Sequence, residues 1–574
     1  MAPSEPDPEK GHIHAPLHRA RTMSTDTMPD ETVTSAFPGI GTPNAERDVE
    51  DAEEAEAERQ AENGKGEGGE GEKERDPNMV SWDGPDDPHN PQNWTFGRKW
   101  AAMGIVSVFT FMRCASPTSL RAFTSRVERD GKMLTPSRSP LSSSMVAPAL
   151  PQIAQDLGIN ESPTLTSMTL SIFVLGFAVG PLLLGPLSEI YGRVRVLQAA
   201  NMIFLIFNLA GGFAQTKGQM MAFRFLSGFG GGGPIALGGG VLGDMFLPEE
   251  RGLAQALYSL GPLSGPAVGP MISGFIVEKI NWRWIFWITT LVDGLVQLLG
   301  LFFLRETYAP KLLGDKVRRL RLETGNSKLY SIYDRDDRSM RAIISRGMVR
   351  PFVFLGTEPL CQIIGTYMAL MYGTLYLLLT TFASLWVDDY GESSGIAGLN
   401  YLAIGLGYTA GSQIGARMID VTYRRMKAKN NGVGLPEFRI PIILVSAPVS
   451  VLGLILYGWS AQYKVFWFVP DMGIFIYGMG TLAAWLAIQT YLVDTYTLYA
   501  ASAIAAAALY RSLLGFAFPL FANQMYAAMG QGWANTMLAF VTLIIGVPAP
   551  LVFLKYGHRL RERSPMARKS KIIR

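Results

Sequence analysis

Two adjacent apolar runs constrain this chain more than any other feature. Met220–Phe246 and Leu253–Val277 are each close to the ~20 residues that a helix needs to cross a lipid bilayer. The first run contains Arg224. Because an ionised side chain is costly in hydrocarbon, a charge in such a run is a functional candidate.

The second run combines small residues with prolines. Its glycines recur every four positions and share one helix face, which lets a neighbouring backbone approach closely. These glycines are Gly261, Gly265 and Gly269. Pro262, Pro266 and Pro270 each remove a backbone donor and make the helix bendable. A bendable helix next to a charged one favours a transporter.

Apolar runs continue through most of the 574 residues, of which 48% are hydrophobic and 17% charged. Twelve spans can be placed, so we expect an all-α membrane protein. Cys114 and Cys361 are the only cysteines, which excludes a disulfide framework and a cysteine metal site. We expect no cofactor and no metal. An apolar signal-peptide core is absent from the N-terminus, so the first span would direct membrane insertion.

The spans form two halves of six helices with cytoplasmic termini. This orientation places every strongly basic loop on the cytoplasmic side. The predicted regions are a disordered acidic cytoplasmic tail (1–79), a pre-membrane amphipathic segment (80–99), an N-terminal six-helix half (100–304), a basic cytoplasmic central loop (305–350), a C-terminal six-helix half (351–556) and a basic cytoplasmic tail (557–574). We expect Trp94, Lys99 and Trp100 of the pre-membrane segment at the level of the lipid headgroups.

The two halves resemble each other in sequence. The segment GPLSEIYGRVR after span two has a degenerate echo, GARMIDVTYRR, after span eight, and their alignment matches Arg193 with Arg424. Asp244 and Asp494 likewise end spans four and ten. Related halves predict a transporter with its substrate site between them, at mid-membrane depth.

Span one is interrupted. Apolar residues 100–112 and 139–150 flank an insert, Arg113–Arg138, that carries six basic residues. Each such charge costs a few kcal/mol at the bilayer centre, so the insert cannot cross it. We interpret the insert as an unspliced intron in helix 1. The alternative is a genuine loop between two half-helices.

Several motifs resemble those of a known family. GPLSEIYGRVRV is similar to the loop motif of the major facilitator superfamily, and RFLSG resembles its span-four motif. WDGPDDPHNPQNW, RETYAPKLL and YLVDTYTLYAASA resemble fungal drug:proton antiporters with twelve spans. The resemblance covers about Val80 to Gly557 and implies the major facilitator fold, with transport by alternating access.

The loop motif supplies a candidate gate formed by Gly185, Glu189, Gly192 and Arg193. Glu189 and Arg193 are four residues apart, so they can pair at the end of span two. The resemblance implies that this pair locks one access state. The alternative is a solvated surface pair contributing ~0.5 kcal/mol. Glu189 also departs from the motif, which usually has Asp there.

Two charged residues are candidates for proton coupling. The resemblance implies this role for Arg224, near the outer end of span four; the alternative is snorkelling to the headgroups. Asp293 is the only acid near the middle of a span, and all five histidines lie outside the spans. We predict that Asp293 carries the proton. A structural Asp hydrogen-bonded between helices is the alternative.

LGPLSGPAVGP resembles the span-five motif of proton-coupled exporters, with Gly261, Gly265, Pro266, Gly269 and Pro270 as its candidate residues. Pro270 stands where the family usually has Gly, which puts close packing there in question.

Aromatic residues of spans seven, eight and ten are candidates for a substrate cavity, because rings can stack on an apolar cargo. They are Tyr367, Tyr372, Tyr376, Tyr408 and Trp485. Packing between helices is the alternative role.

The resulting hypothesis is a proton-coupled exporter of hydrophobic or amphipathic small molecules, such as drugs, fungicides or fungal toxins. An uptake carrier on the same fold, for a nutrient or polyamine, is the alternative. We expect no enzyme, since GKS/T, HExxH and GxSxG motifs are missing in the expected contexts. The expected partners are membrane lipids, a small-molecule substrate and protons, without nucleic acid. We expect a monomer in the plasma membrane, with the vacuolar membrane as the alternative.

Overall fold

Helices make up almost all of the part of the chain that the structure describes. The computed structural model describes residues 78–84, 87–112, 145–159, 161–246, 268–333, 340–496, 499–564 and 566–568. Nearly all of the acidic tail, and the insert Arg113–Arg138, lie outside these residues. The disorder of the tail and the origin of the insert therefore stay predictions.

Local chemistry explains where the helices of the N-terminal half begin. They are α1 (Phe96–Met112), α2 (Leu150–Asp156), α3 (Pro163–Tyr191), α4 (Arg193–Gly212), α5 (Lys217–Met245), α6 (268–279) and α7 (Arg283–Phe303). Ser162 caps α3 by accepting from the Leu165 N–H, and Pro163 occupies the first turn. Thr216 caps α5 in the same way through the Gln219 N–H.

The remaining helices belong to the central segment and the C-terminal half. They are α8 (Ala309–Thr324), α9 (Met340–Thr357), α10 (Pro359–Ser384), α11 (Ser394–Lys429), α12 (Pro441–Gln462), α13 (Phe468–Thr495), α14 (Ala500–Gly546) and α15 (Pro548–Arg563). A π-helical turn, Leu385–Asp389, extends α10. Gly530, with φ of 72°, interrupts α14 between the predicted spans eleven and twelve.

Apolar side chains cover faces of these helices that contact no other part of the described protein. On α7, Leu291, Leu298 and Phe302 are exposed, although the opposite face is buried. This distribution is typical of a helix that contacts lipid. Within the described residues, eight helices are long and apolar enough to cross a membrane. An all-α integral membrane protein is confirmed, whereas the count of twelve spans and the cytoplasmic termini stay predictions.

Contacts between the two halves include two helix pairs, α3 with α14 and α6 with α11. Between α3 and α14, Asn523 donates to the Ser167 hydroxyl at 3.3 Å. Between α6 and α11, a Cβ on Gly274 would lie 2.4 Å from a backbone oxygen of α11, and one on Gly398 would lie 2.8 Å from the Pro270 oxygen. Small residues thus allow backbone contact between the halves, and Pro270 is compatible with it.

The pre-membrane segment contacts the central segment. Strand β1 (Met79–Val80) pairs in parallel with β2 (Tyr330–Ser331). Lys316 of α8 donates to the Ser81 oxygen at 2.9 Å and pairs with Asp83 at 2.5 Å. Residues 305–350, which were expected to form a basic loop, are largely helical, because α8 and the first part of α9 occupy most of this region.

Trp94 and Lys99 pack against the protein, and their expected position at the level of the lipid headgroups stays a prediction. Both are buried against the protein, with 8% and 7% exposure. The 3₁₀ turn Pro91–Asn93 packs on α5 and directs Trp94 inward. The Arg98 guanidinium carbon lies 4.2 Å from the Trp94 ring, so the tryptophan finds both apolar contacts and a cation within the protein.

Candidate functional site

The loop motif forms a charge cluster at one end of the N-terminal half. Gly192 has φ of +98° and separates α3 from α4. The Glu306 carboxylate accepts from the first backbone N–H groups of α4, those of Arg193 at 2.8 Å and Val194 at 3.3 Å. An anion at a helix N-terminus satisfies unpaired donors and interacts favourably with the helix dipole.

The Arg193 side chain connects this helix start to α5. Its Nε lies 3.3 Å from the Asp244 carboxylate, and its guanidinium carbon lies 4.9 Å from the Tyr308 ring. The Thr307 hydroxyl also donates to Asp244, at 3.3 Å. We call Arg193, Asp244 and Glu306 the N-half charge cluster. It connects the start of α4, the end of α5 and the segment that follows α7.

The predicted pair between Glu189 and Arg193 is not formed. Glu189 is exposed, whereas Arg193 contacts Asp244. The expectation that residues four apart would pair assumed one continuous helix, but Gly192 ends the helix between Glu189 and Arg193. Gly185 accepts a hydrogen bond from the Ser188 hydroxyl through its backbone oxygen, and its own Cα faces open space.

A second charge cluster occupies the corresponding end of the C-terminal half. Arg439 Nε lies 2.5 Å from the Asp494 carboxylate, and its guanidinium carbon lies 4.8 Å from the Tyr423 ring. Asp494 therefore has the same kind of partner, an arginine, as Asp244, with which it was matched in the comparison of the two halves. Within the described residues, however, Arg424 donates to the Asp420 oxygen of its own helix and to no carboxylate, because α11 continues without a break to Lys429. We call Arg439 and Asp494 the C-half charge cluster.

Arg224 lies inside the N-terminal half, and the snorkelling alternative is wrong. Arg224 is 1% exposed, and its Nε donates to the Thr169 backbone oxygen at 3.3 Å. The guanidinium carbon lies 4.5 Å from the Phe173 ring and 6.0 Å from the Phe286 ring. Cation–π contacts of this kind contribute about 2 kcal/mol when desolvated, so the rings offset part of the cost of burial.

Asp293 is also fully buried, near the middle of α7. Among the described hydrogen bonds and ion pairs, none joins the Asp293 carboxylate to Arg224. One turn away on α7, Gln297 accepts from the Asn201 amide at 2.9 Å. Asp293 thus lies beside a polar contact between α4 and α7.

The span-five motif is only partly described. Gly261, Gly265 and Pro266 lie outside the described residues. Gly269 and Pro270 lie in the first turn of α6, where the Pro270 oxygen approaches α11.

Three of the five predicted cavity aromatics cluster together. The ring of Tyr372 lies 4.9 Å from that of Tyr376 and 6.2 Å from that of Trp485. The other two pack between helices, which was the alternative role. Tyr367 packs within the C-terminal half against α14, and Tyr408 contacts α13 beside Gly478.

The sequence interpretation missed Arg511, the residue around which these aromatics gather. Its guanidinium carbon lies 4.6 Å from the Trp485 ring and 5.1 Å from the Tyr372 ring. An arginine at the centre of a membrane helix costs at least about 2.5–3.5 kcal/mol. A signal was present, since Arg511 is the one charged residue between Ala500 and Ala522.

The described ion pairs and buried charges define a class of protein. Two helical halves meet at small residues, and each half carries an Arg–Asp pair at a helix end. The buried Arg224, the partly exposed Arg511 and several aromatic rings lie within the bundle. Among the described residues there is no group of His, Cys, Asp and Glu that could hold a metal. This arrangement is that of a membrane transporter built from two halves.

The chain belongs to the Major Facilitator Superfamily, whose family model matches residues 139–519. It is a membrane transporter and not an enzyme. It is 42% identical over 494 residues to the efflux pump vrtL of Penicillium aethiopicum, covering 86% of this chain and 92% of that protein. It is also 42% identical over 489 residues to the efflux pump radE of Floropilus chiversii, covering 85% and 86%.

A solved structure shows the same fold. The partially occluded inward-open xylose transporter XylE of E. coli superposes with a TM-score of 0.56 at 13% identity, covering 80% of this chain and 98% of XylE. This likeness confirms the expected major facilitator fold.

Proposed function

We propose that this protein is a proton-coupled exporter of hydrophobic or amphipathic small molecules. The observation that carries the proposal is the 42% identity to two fungal proteins named efflux pumps, along 85% or more of the chain. The buried charges are compatible with it, because ionisable groups within a membrane protein typically belong to substrate or proton pathways.

Alternating access requires two states that differ in which side is closed. The N-half and C-half charge clusters each join helix ends at one end of a half, so they are suited to hold that end closed. Opening would separate Arg193 from Asp244 and Arg439 from Asp494. Cargo binding between the halves and a change in protonation would then shift the balance between the states.

Asp293 is the proposed proton carrier. It is a fully buried carboxyl group within α7, and a carboxyl can take up and release a proton, whereas an arginine keeps its charge. Arg224 would act as a fixed positive charge in the same half. Protonation from outside and release inside would couple proton entry to cargo export.

Transport by the full chain in proteoliposomes tests the proposal. A pH gradient is imposed, and the movement of lipophilic dyes, azoles and polyamines is followed. Movement of a lipophilic compound against the proton flow is expected. Movement in the direction of proton flow would contradict export and favour an uptake symporter, whereas movement that ignores the gradient would contradict proton coupling.

Asp293→Asn tests the proton carrier in the same vesicles. The substitution removes the titratable group and keeps the side-chain shape, so gradient-driven transport should fall at least tenfold. Exchange of cargo without a gradient should continue. Asp315→Asn on α8 is the control, since Asp315 is exposed and pairs only with Lys311 among the described residues. Full gradient-driven transport by Asp293→Asn would contradict the assignment.

We also propose that the protein works as a monomer in the plasma membrane, where export removes the cargo from the cell. A fluorescent fusion that marks the vacuolar membrane instead would change the proposed destination of the cargo. Light scattering of the detergent-solubilised protein checks the oligomeric state.

A further inference from the structure

One arginine within the C-terminal half has hydrogen-bonding capacity that the protein does not use. In the described part of the chain, no carboxylate lies within ion-pairing distance of Arg511, and its Nε is buried without a hydrogen-bond partner. By contrast, Arg439 in the same half pairs with Asp494 at 2.5 Å. A buried charge without a counter-ion is retained at a cost, which points to a ligand.

Arg511 lies at the depth expected for cargo. It is eleven residues from the start of α14, or ~16 Å at 1.5 Å per residue. Tyr372 and Trp485 reach the same level from α10 and α13. A bilayer core of about 30 Å has its midplane near this depth.

Arg511 is more open to a ligand than Arg224. Arg511, Tyr372 and Trp485 are each partly exposed. Arg224 is 1% exposed, and its guanidinium lies against Phe173. A molecule between the halves would therefore meet the Arg511 guanidinium together with two aromatic rings.

We propose that Arg511, Tyr372, Tyr376 and Trp485 form an anion-binding subsite, and that its preferred cargo is a planar aromatic weak acid. The subsite rests on the proposed export function and specifies the cargo class. The guanidinium fork binds a carboxylate, or an ionised phenol or enol beside a carbonyl, through two hydrogen bonds. The Tyr372 and Trp485 rings would contact the aromatic part of the cargo.

Charge also selects against other cargoes. A cationic molecule at this position would face the like charge of Arg511, whose guanidinium lies against the Tyr372 and Trp485 rings. A neutral molecule would contact the rings but supply no negative charge to the Arg511 guanidinium. Anion export and proton entry both carry positive charge inward, so an inside-negative membrane potential favours both steps.

Equilibrium binding without any gradient separates this subsite from the export function. The probes share one ring system and differ in charge: 2-naphthoate, neutral 2-naphthamide and the 2-naphthylmethylammonium cation. Tritiated probes are dialysed against the full-length protein in lipid nanodiscs at pH 7.5, and uptake by empty nanodiscs is subtracted. We expect naphthoate to bind at least tenfold more tightly than either other probe, because hydrogen bonds between charged groups discriminate by roughly this factor or more.

Substitutions assign the discrimination to Arg511. Arg511→Gln should bring naphthoate and naphthamide within about twofold of each other, and Arg511→Lys should keep part of the preference. Trp485→Leu should weaken both probes to a similar extent and preserve their ratio. Arg417→Gln is the control, because Arg417 is an exposed arginine on α11.

Equal binding of naphthoate and naphthamide by the wild type would overturn the subsite, and so would an unchanged ratio in Arg511→Gln. If Arg511→Gln does not fold, the ratio of naphthoate to naphthamide affinity in the wild type and in Trp485→Leu still tests the subsite. Anion-selective binding without gradient-driven flux would contradict export and leave the subsite intact. Gradient-driven flux without anion-selective binding would support export and contradict the subsite.

Discussion

Gly192→Ala tests the N-half charge cluster directly. Gly192 has φ of +98°, and an added Cβ would lie 2.3 Å from the Glu306 carboxylate. Glu306 would have to move away from the N–H groups of Arg193 and Val194. Gly185→Ala is the matched control, since a Cβ at Gly185 meets no atom within 4 Å.

The magnitude follows from two contributions. The positive-φ extended conformation of Gly192, with ψ of 153°, is essentially confined to glycine and costs an L-residue roughly 1–3 kcal/mol. Loss of one hydrogen bond to a charged carboxylate costs about 1.5–3 kcal/mol. A combined effect of about 3 kcal/mol increases the open fraction of this helix start ~160-fold, since each 1.36 kcal/mol is a factor of ten.

Hydrogen–deuterium exchange of the first turn of α4 measures this opening. The amides of Arg193 and Val194 should exchange ~100-fold faster in Gly192→Ala than in the wild type, whereas Gly185→Ala should change them less than threefold. Equal exchange in the two variants would refute the argument. It would mean that neither the glycine conformation nor the Glu306 cap holds this helix start.

Two further substitutions test the C-terminal half and the contact between halves. Arg439→Gln leaves the half-buried Asp494 without its cation and should lower the free energy of unfolding by about 2–3 kcal/mol. Arg424→Gln is the control and should leave the free energy of unfolding unchanged. Equal denaturation midpoints for both variants would contradict the assignment of Arg439 to the C-half charge cluster. Gly274→Leu would force α6 away from α11, so we expect little monodisperse protein by size-exclusion chromatography. Gly294→Ala, where a Cβ meets no atom, should behave as wild type, and normal yield of Gly274→Leu would show that the contact tolerates bulk.

The two charge clusters combine the same groups in different ways. Each places an arginine between an Asp at the end of a long helix and the face of a tyrosine. The arginine begins a helix in the N-terminal half, whereas Arg439 ends the 3₁₀ turn Pro436–Arg439 before α12. The two geometries are similar, although the arginines occupy different positions in the two halves. Sequence alignment of the halves therefore found Asp494 but selected Arg424 instead of Arg439.

The sequence by itself determined the class of protein. Apolar runs of about twenty residues predict membrane helices, because the bilayer allows few other backbone structures. Ordered motifs then indicated the superfamily, and the family model and relatives confirm it. Asp293 and Arg224 could be singled out for the same reason, since a charge within an apolar run is visible without a structure.

Only the tertiary structure decided which side chains meet. One backbone angle at Gly192 separates Glu189 from Arg193 and gives Arg193 to Asp244. Arg511 is visible in the sequence as a charge within an apolar run, but only the structure shows Trp485, from a different helix, 4.6 Å away. Side-chain partners depend on helix breaks and on packing between distant segments, whereas hydropathy depends on local composition, which is why the sequence predicted the spans but not these contacts.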